Sequence, residues 1–334
     1  MKRLGTRWIA AVAAALLSLA AGRDALAQSA PAQSWPNGPV KMFVGFAAGG
    51  STDIIARDIG HELEKVWGQP VVIENRAGAN GAIAAAQLAK LPADGQTLMM
   101  IVSGHVTNGY LNPKQSFDAL KDFTPIVQIA SSPLLIFAHP SFPANDIKSM
   151  LALAKEKPAT ISYTSPGTGS IQHLSMELLA YLAGVKLVHV PYRSGALALN
   201  DTLAGHVPLS VLSVLQALPH LQAKTIKPLA VTSAKATDIL PNVPALAEAG
   251  LKDYEAELWY VVIAPAGLSP ELTQRINSQI VRIVKSPEMQ KKLADQGARP
   301  VGSTPAGSTP GAPRRRANHC AMPSRRSGVP QVCG

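Results

Sequence analysis

The sequence predicts an α/β protein of two lobes, each a doubly wound sheet, with a cleft between them. Three observations carry this reading. Short, almost continuous apolar runs alternate with helical periods. The alternation occurs as two sets, with an apolar run placed to cross back from the second to the first. In each set a glycine-rich loop joins a strand to a helix start. The 334 residues are enough for one large domain or two smaller ones.

The chain opens as an export signal. Lys2, Arg3 and Arg7 give a positive start, residues 8–21 an apolar run, and Ala25-Leu26-Ala27 a small-x-small cleavage site, so residues 1–27 are expected to be removed. The apolar run stops at Gly22-Arg23-Asp24, short of the roughly 20 residues a membrane span needs. No cysteine follows the cleavage site to carry a lipid.

Residues 40–46 then form an apolar run of the kind buried on both faces in a parallel sheet. After a glycine turn, Ser51 or Thr52 caps a helix whose Ile55, Ile59, Leu63 and Val66 share one face and which Gly68 ends. A strand over 70–74, an Ala-rich helix over 81–91 and a strand over 97–103 complete βαβαβ. The second set has strands at 126–130, 134–138, 161–165, 186–191, 207–214 and 228–232. Its helices follow Asp146 and cover 170–183 and 196–204. The run 258–264 crosses back, and helices over 270–285 and 287–296 return to the first lobe. The expected lobes are therefore 28–132 with 262–305, and 133–261.

The net charge of +10 lies mostly at the ends of the chain. Residues 1–27 hold four Lys/Arg against one acid, residues 306–334 five Arg and no acid, and the body 22 basic against 20 acidic residues, without like-charge blocks. That balance excludes a polyanion-binding surface, and no nucleic-acid partner is expected. Both cysteines, Cys320 and Cys333, lie in the tail, so the body folds without disulfides. The tail, 306–334, has no Leu, Ile, Phe, Tyr or Trp and is broken by four prolines; such a segment cannot bury enough surface to fold. Its Ala, Gly, Pro, Arg, Ser and Cys are what GC-rich coding sequence yields out of register.

Two loops concentrate the candidate chemistry: Phe46-Ala47-Ala48-Gly49-Gly50-Ser51-Thr52-Asp53 and Thr164-Ser165-Pro166-Gly167-Thr168-Gly169-Ser170. Glycines admit a ligand close to the backbone, and the N–H groups and dipole of a helix start favour an anion. Together they make the two halves of an anion clamp. Each hydrogen bond to a charged group contributes about 1.5–3 kcal/mol, so several suffice without a buried arginine. Read singly, either loop is equally well a turn and a helix cap. Asp53 either stabilises its helix start or accepts a donor from the ligand. Phe46, Tyr163 and Tyr192 stand at or near strand ends, where open α/β sheets bind ligands; Trp259 and Tyr260 lie on the crossing strand.

Competing motifs fail on particular residues. Ser51 stands where a phosphate-binding P-loop needs lysine, and Gly45, Gly49 and Gly50 do not fit a dinucleotide fingerprint. There is no G-x-S-x-G elbow, so a secreted α/β hydrolase is the weaker alternative and no catalytic residue is assigned. A transcriptional regulator would need a DNA-binding helix-turn-helix where the export signal stands. No histidine pair has metal spacing, and no metal or cofactor is expected. His173, in the first turn after the second loop, buttresses that loop.

In order and spacing these motifs resemble the substrate-binding proteins of tripartite tricarboxylate transporters, the Bug receptors. The resemblance runs over residues 35–305 through Gly49-Gly50-Ser51-Thr52-Asp53, Glu74-Asn75-Arg76 with Gly78 and Gly81, and Asp94-Gly95. It continues through Pro166-Gly167-Thr168-Gly169-Ser170 with His173-Leu174, Val190-Pro191-Tyr192, Leu229-Ala230-Val231-Thr232-Ser233, and Leu240-Pro241-Asn242-Val243-Pro244 ending at Glu248-Ala249-Gly250. It implies a periplasmic, two-lobed receptor of the type II binding-protein class. Such a receptor, a monomer without catalysis, hands a small carboxylate to the transporter's membrane components. It also implies ligand contacts at Gly50, Ser51 and Asp53 on one side and Thr168, Gly169 and Ser170 on the other, with Tyr192 flanking the cleft; Phe46, by its strand end, and Gly49, by its place in the first loop, join the expected contacts. Where the family has prolines, this chain has Gly45, Ala47 or Ala48, and Ala77. Where the family continues into a terminal helix, it has the tail.

Overall fold

Strand β1 (Val40–Val44) lies between β2 (Val71–Asn75) and β3 (Thr97–Val102), parallel to both. These residues belong to a computed structural model that describes residues 35–308 except 253; the leader and residues 309–334 lie outside it. Met1–Asn37 is a separate unit, and the sheet belongs to the second, which begins at Gly38.

Parallel neighbours require crossovers. Helix α1 (Ser51–Trp67) connects β1 to β2 and buries Ile55, Ile59 and Leu63 completely. It ends on Gly68 at φ 65, whose N–H caps Glu64. A 3-10 turn (Ala79–Gly81) and the short α2 (Ala82–Leu88) lead to β3, and α3 (Gly104–Leu111) follows it. An apolar cluster around Phe43, Met99, Ile101, Val261 and Ile263 is the core of this half.

Strand β4 (Phe123–Ala138) is a continuous element of 16 residues. Beyond it come α4 (Ile147–Glu156), β5 (Ser162–Ser165), α5 (Ile171–Ala183), β6 (Val188–Pro191), α6 (Gly195–Leu203), β7 (Leu209–Ser213), α7 (Val214–Gln222) and β8 (Lys227–Val231). Here β5 is parallel to β6 and to β7. A second apolar cluster gathers Leu135, Phe137, Leu212 and Val231. Strand β9 (Glu257–Pro265) then returns to the first half, followed by α8 (Pro270–Val284), α9 (Pro287–Asp295) and β10 (Arg299–Pro300). Trp67 donates to Gln279 at 2.8 Å and Lys292 pairs with Asp58 at 2.7 Å, fixing both returning helices against α1.

The strand order is β2-β1-β3-β9-β4-β7-β5-β6, with β8 and β10 also paired to β4. The two halves repeat one plan: three parallel strands in the order second, first, third, then an antiparallel strand arriving from outside the set. That strand is β9 beside β3, and β4 beside β7.

The expected strands 126–130 and 134–138 are thus one. Ser131-Ser132-Pro133 reads as a break, but it marks where β4 passes from β9 to β7 and β8, a place where proline's missing N–H is tolerated. Helices α3 and α7 were not expected, because Gly104 and Gly109 in one and Pro219 in the other lower helix propensity. Ordered chain also continues past 305 into a 3-10 turn at Ala306–Ser308 whose Ser308 is buried, three residues into the segment expected to be disordered.

The end of β1 touches the turn before α2 backbone to backbone. A Cβ on Gly45 would stand 2.5 Å from Gly81 Cα, and Gly81 itself is left-handed at φ 84. Gly45→Ala should therefore destabilise by about 1–3 kcal/mol. Urea unfolding measures this, and an unchanged midpoint would show that the turn yields freely.

Candidate functional site

The loop after β1 is held by one carboxylate. Asp53 Oδ2 accepts hydrogen bonds from Gly49 N–H and Arg57 Nε, both at 3.0 Å, while its Oδ1 accepts from Asn75 Nδ2 at 2.9 Å. Asn75 also donates to the Phe46 carbonyl at 3.1 Å. Burial raises the Asp53 pKa, but the bonds from Arg57, Gly49 and Asn75 outweigh it and hold the carboxyl below its ordinary range. Its charge is thereby spent on the loop. Gly50, the N-cap of α1, supplies no side-chain cap, so the first N–H groups of that helix carry no side-chain acceptor.

The loop after β5 braces itself differently. Ser170 Oγ accepts from His173 N–H at 3.2 Å and donates to the Gly167 carbonyl at 2.7 Å, while Gly169 N–H donates to His173 Nδ1 at 3.1 Å. His173 stacks on His189 at 4.0 Å between ring centroids, and His189 on Tyr163 at 5.1 Å. Tyr163 donates to Glu177 at 2.8 Å. Thr168 is exposed at the loop tip. Across the sheet, Thr107 Oγ1 on α3 donates to the Gly169 carbonyl at 3.1 Å. Tyr192 packs on the second apolar cluster, and its hydroxyl donates to Asp201.

A cavity opens between the two loops. From the first half it is lined by Phe46, Gly50, Ser51, Thr52 and Val102, and Leu258 on β9 closes one side. From the second half come Pro166, Gln172, Gly195 and Gln216. None of these residues is charged. The enclosed space is about 20 Å³, on the scale of one water. Of the nine residues expected to touch ligand, Phe46, Gly50 and Ser51 line this space. Gly49 and Asp53 brace the first loop, Gly169 and Ser170 brace the second, Thr168 stands at its tip, and Tyr192 is turned toward Asp201.

Gln172, Gly195 and Gln216 were missed by sequence reasoning. Gln216 lies on the unexpected helix α7, and the Ser194-Gly195 helix start resembles any capped helix. The fold also makes a nucleophile–base pair that the sequence does not reveal, Ser165 Oγ and His189 Nε2 at 2.6 Å. Ser165 is wholly buried and lines no part of the cavity.

A family profile described as tripartite tricarboxylate transporter family receptor matches residues 55–306. The chain is similar to protein BugT of Bordetella pertussis, 31% identical over 281 residues that make up 84% of this chain and 86% of BugT. It is similar in structure to R. palustris Rpa4515 with adipate, with TM-score 0.80 and 37% identity over 82% of this chain and 92% of the other. MatC (Rpa3494) from Rhodopseudomonas palustris with bound malate has TM-score 0.76 and 30% identity, covering 79% and 90%.

Three histidines, His173 and His189 behind the second loop and His105 on α3, make stability depend on pH. Burial and the neighbouring His173 push His189 down to about 4, burial lowers His173, and burial against Phe117 and Phe123 takes His105 to about 4. Unfolded, each titrates near 6.5. The native state therefore binds fewer protons between these values, and their stabilisation is complete above about pH 6.5 and lost as pH falls toward 4. Melting temperature should drop across that window, and less steeply for His189→Gln. Superimposable profiles for the two proteins would contradict the assignment.

Proposed function

We propose that this chain, which belongs to the tripartite tricarboxylate transporter family of receptors, is a periplasmic receptor that holds a small carboxylate between its two loops and presents it to the membrane components of its transporter. The observation that carries this reading is the uncapped start of α1 opening on a cavity lined by neutral residues. An anion there is met by backbone N–H groups, hydroxyls and a helix dipole, without a cation to bind it irreversibly tightly or an acid to repel it. Adipate and malate, named with the two similar structures, are both small dicarboxylates, and this is the ligand chemistry we assign to the chain.

In this reading Phe46, Gly50 and Ser51 contact the ligand. Gly49 and Asp53 hold the first loop in shape, Gly169 and Ser170 hold the second, Thr168 meets the ligand when the cleft closes, and Tyr192 supports the second loop through Asp201. A space of about 20 Å³ is too small for a dicarboxylate, so the halves part to admit it. The proposed lobe boundaries, 132/133 and 261/262, fall next to the point where β4 changes partners after Pro133 and within β9 on the return. Residues 1–27 export the chain, which works as a monomer and performs no catalysis.

Titration calorimetry with adipate and malate tests the reading. Binding of at least one is expected, with Ser51→Ala weakening it about tenfold, the loss of one charge-assisted hydrogen bond. Ser170→Ala should weaken it too, by loosening the second loop, and should cost about 1 kcal/mol of stability through the lost helix cap. Absence of binding to either acid, or affinities unchanged in both variants, would overturn the assignment.

A further inference from the structure

We infer that Gln216 is the specificity-determining residue by which this receptor distinguishes a diacid from a monoacid, receiving the acceptor group at the far end of the ligand. The inference rests on the cleft being the ligand site and adds the second pole of that site.

Gln216 occupies the first turn of α7, lines the cavity and is 8% exposed, yet its Nε2 has no hydrogen-bond partner among the described residues. Two further buried polar groups are gathered with it. Ser213 Oγ, at the N-cap of the same helix, makes no hydrogen bond of good geometry among the described residues. The hydroxyl of Tyr260, a fully buried residue on β9, faces Ser51 and Ser213 without a hydrogen bond of good geometry to either. Buried polar groups in native proteins are paired with few exceptions. Of the three, Gln216 alone lines the cavity, while Ser213 and Tyr260 lie behind it and face each other; an unmatched donor on the cavity wall marks a place completed by a molecule that brings an acceptor.

The amide also lies directly over the start of α6. A Cβ on Gly195 would stand 2.3 Å from Gln216 Oε1 and 3.0 Å from Nε2, so the first residue of α6 must be glycine for the amide to lie where it does. An amide nitrogen only donates. Whatever sits against it must accept, and no charged residue lines the cavity to compete for that acceptor. In the parted state that admits a ligand, one carboxylate sits at the start of α1 and the acceptor at Gln216 is a second oxygen-bearing group on the same ligand. A monoacid of equal length places a methyl group there and leaves the donor buried and unpaired, and sites built to hydrogen-bond a ligand group reject analogues that lack it.

Calorimetry of the full chain with matched pairs, adipate against hexanoate and succinate against butanoate, tests this. The wild type should bind the preferred diacid at least about tenfold more tightly than its monoacid. Gln216→Met keeps length and shape but removes the donor; it should lose about tenfold for the diacid and change the monoacid less than about twofold. Gln216→Glu, which adds a second anion, should abolish diacid binding. Gly195→Ala, which displaces the amide without altering it, should repeat the selective loss. Ser51→Ala should weaken both members of a pair alike. A diacid-to-monoacid ratio unchanged in Gln216→Met and Gly195→Ala, with Ser51→Ala still weakening binding, overturns the inference and leaves the cleft standing. Equal losses for both acids show that Gln216 holds water or packing instead, and overturn it as well. A wild type that binds no member of either pair fails the cleft reading itself, and the inference falls with it.

Discussion

Residues 123–133 of β4 pair with β9 and residues 134–138 pair with β7 and β8, so one backbone belongs to both half-sheets. Neither half could stand as it does without it: each would expose a long row of unpaired N–H and C=O groups at its edge. Where β4 changes partners, side chains supply what the ladder lacks. Thr232 Oγ1 accepts from Leu134 N–H at 2.9 Å and donates to the Ala256 carbonyl at 2.6 Å, while Ser132 Oγ donates to the Gly297 carbonyl at 3.0 Å. Arg299 adds bonds of 3.1 Å to Ser131 and to Glu257. The junction is thus held by side-chain hydrogen bonds as well as by the ladder.

That shared strand sets the geometry of the cleft. The loops after β1 and β5 occupy equivalent places in two copies of one strand order, and their helices start on opposite sides of the same cavity. The chemistry follows from where charge has been removed. Asp53 stands in the first turn of α1, where it could compete with an incoming anion, but Arg57, Asn75 and the Gly49 N–H occupy it. In the second loop the neutral His173 ring takes the Gly169 N–H, and its lowered pKa keeps the acceptor nitrogen unprotonated near neutral pH. Both loops use polar groups for their own shape, leaving backbone, hydroxyl and amide groups to line the cavity.

The sequence disclosed the architecture because its elements are locally consistent. The β1 run, the Ile55, Ile59 and Leu63 stripe and the Gly68 stop each point to the same structure that tertiary packing imposes. It disclosed the two loops for the same reason, since glycine at φ 81 in Gly49 and in Gly169 is needed only at such turns. The inner lining of the cleft was less legible. Gln216 and Gly195 come from helices that give no ligand signal in one dimension, and their meeting depends on α6 and α7 packing side by side. Nor could spacing show that the Asp53 and Ser170 side chains turn inward to brace their loops, since a cap and a ligand contact use the same residue types. The reading of β4 as two strands failed at Pro133, because a change of partner and a strand end look alike when only the chain's own residues are considered.

If both loops close on one carboxylate, their backbone amides must be protected together. Amide hydrogen exchange of residues 50–53 and 168–170, followed with and without saturating diacid, measures this directly. The account predicts slowed exchange in both segments at the same ligand concentration, while α4, far along the second half, stays unchanged. Protection confined to one loop, or to neither while calorimetry reports binding, would contradict it.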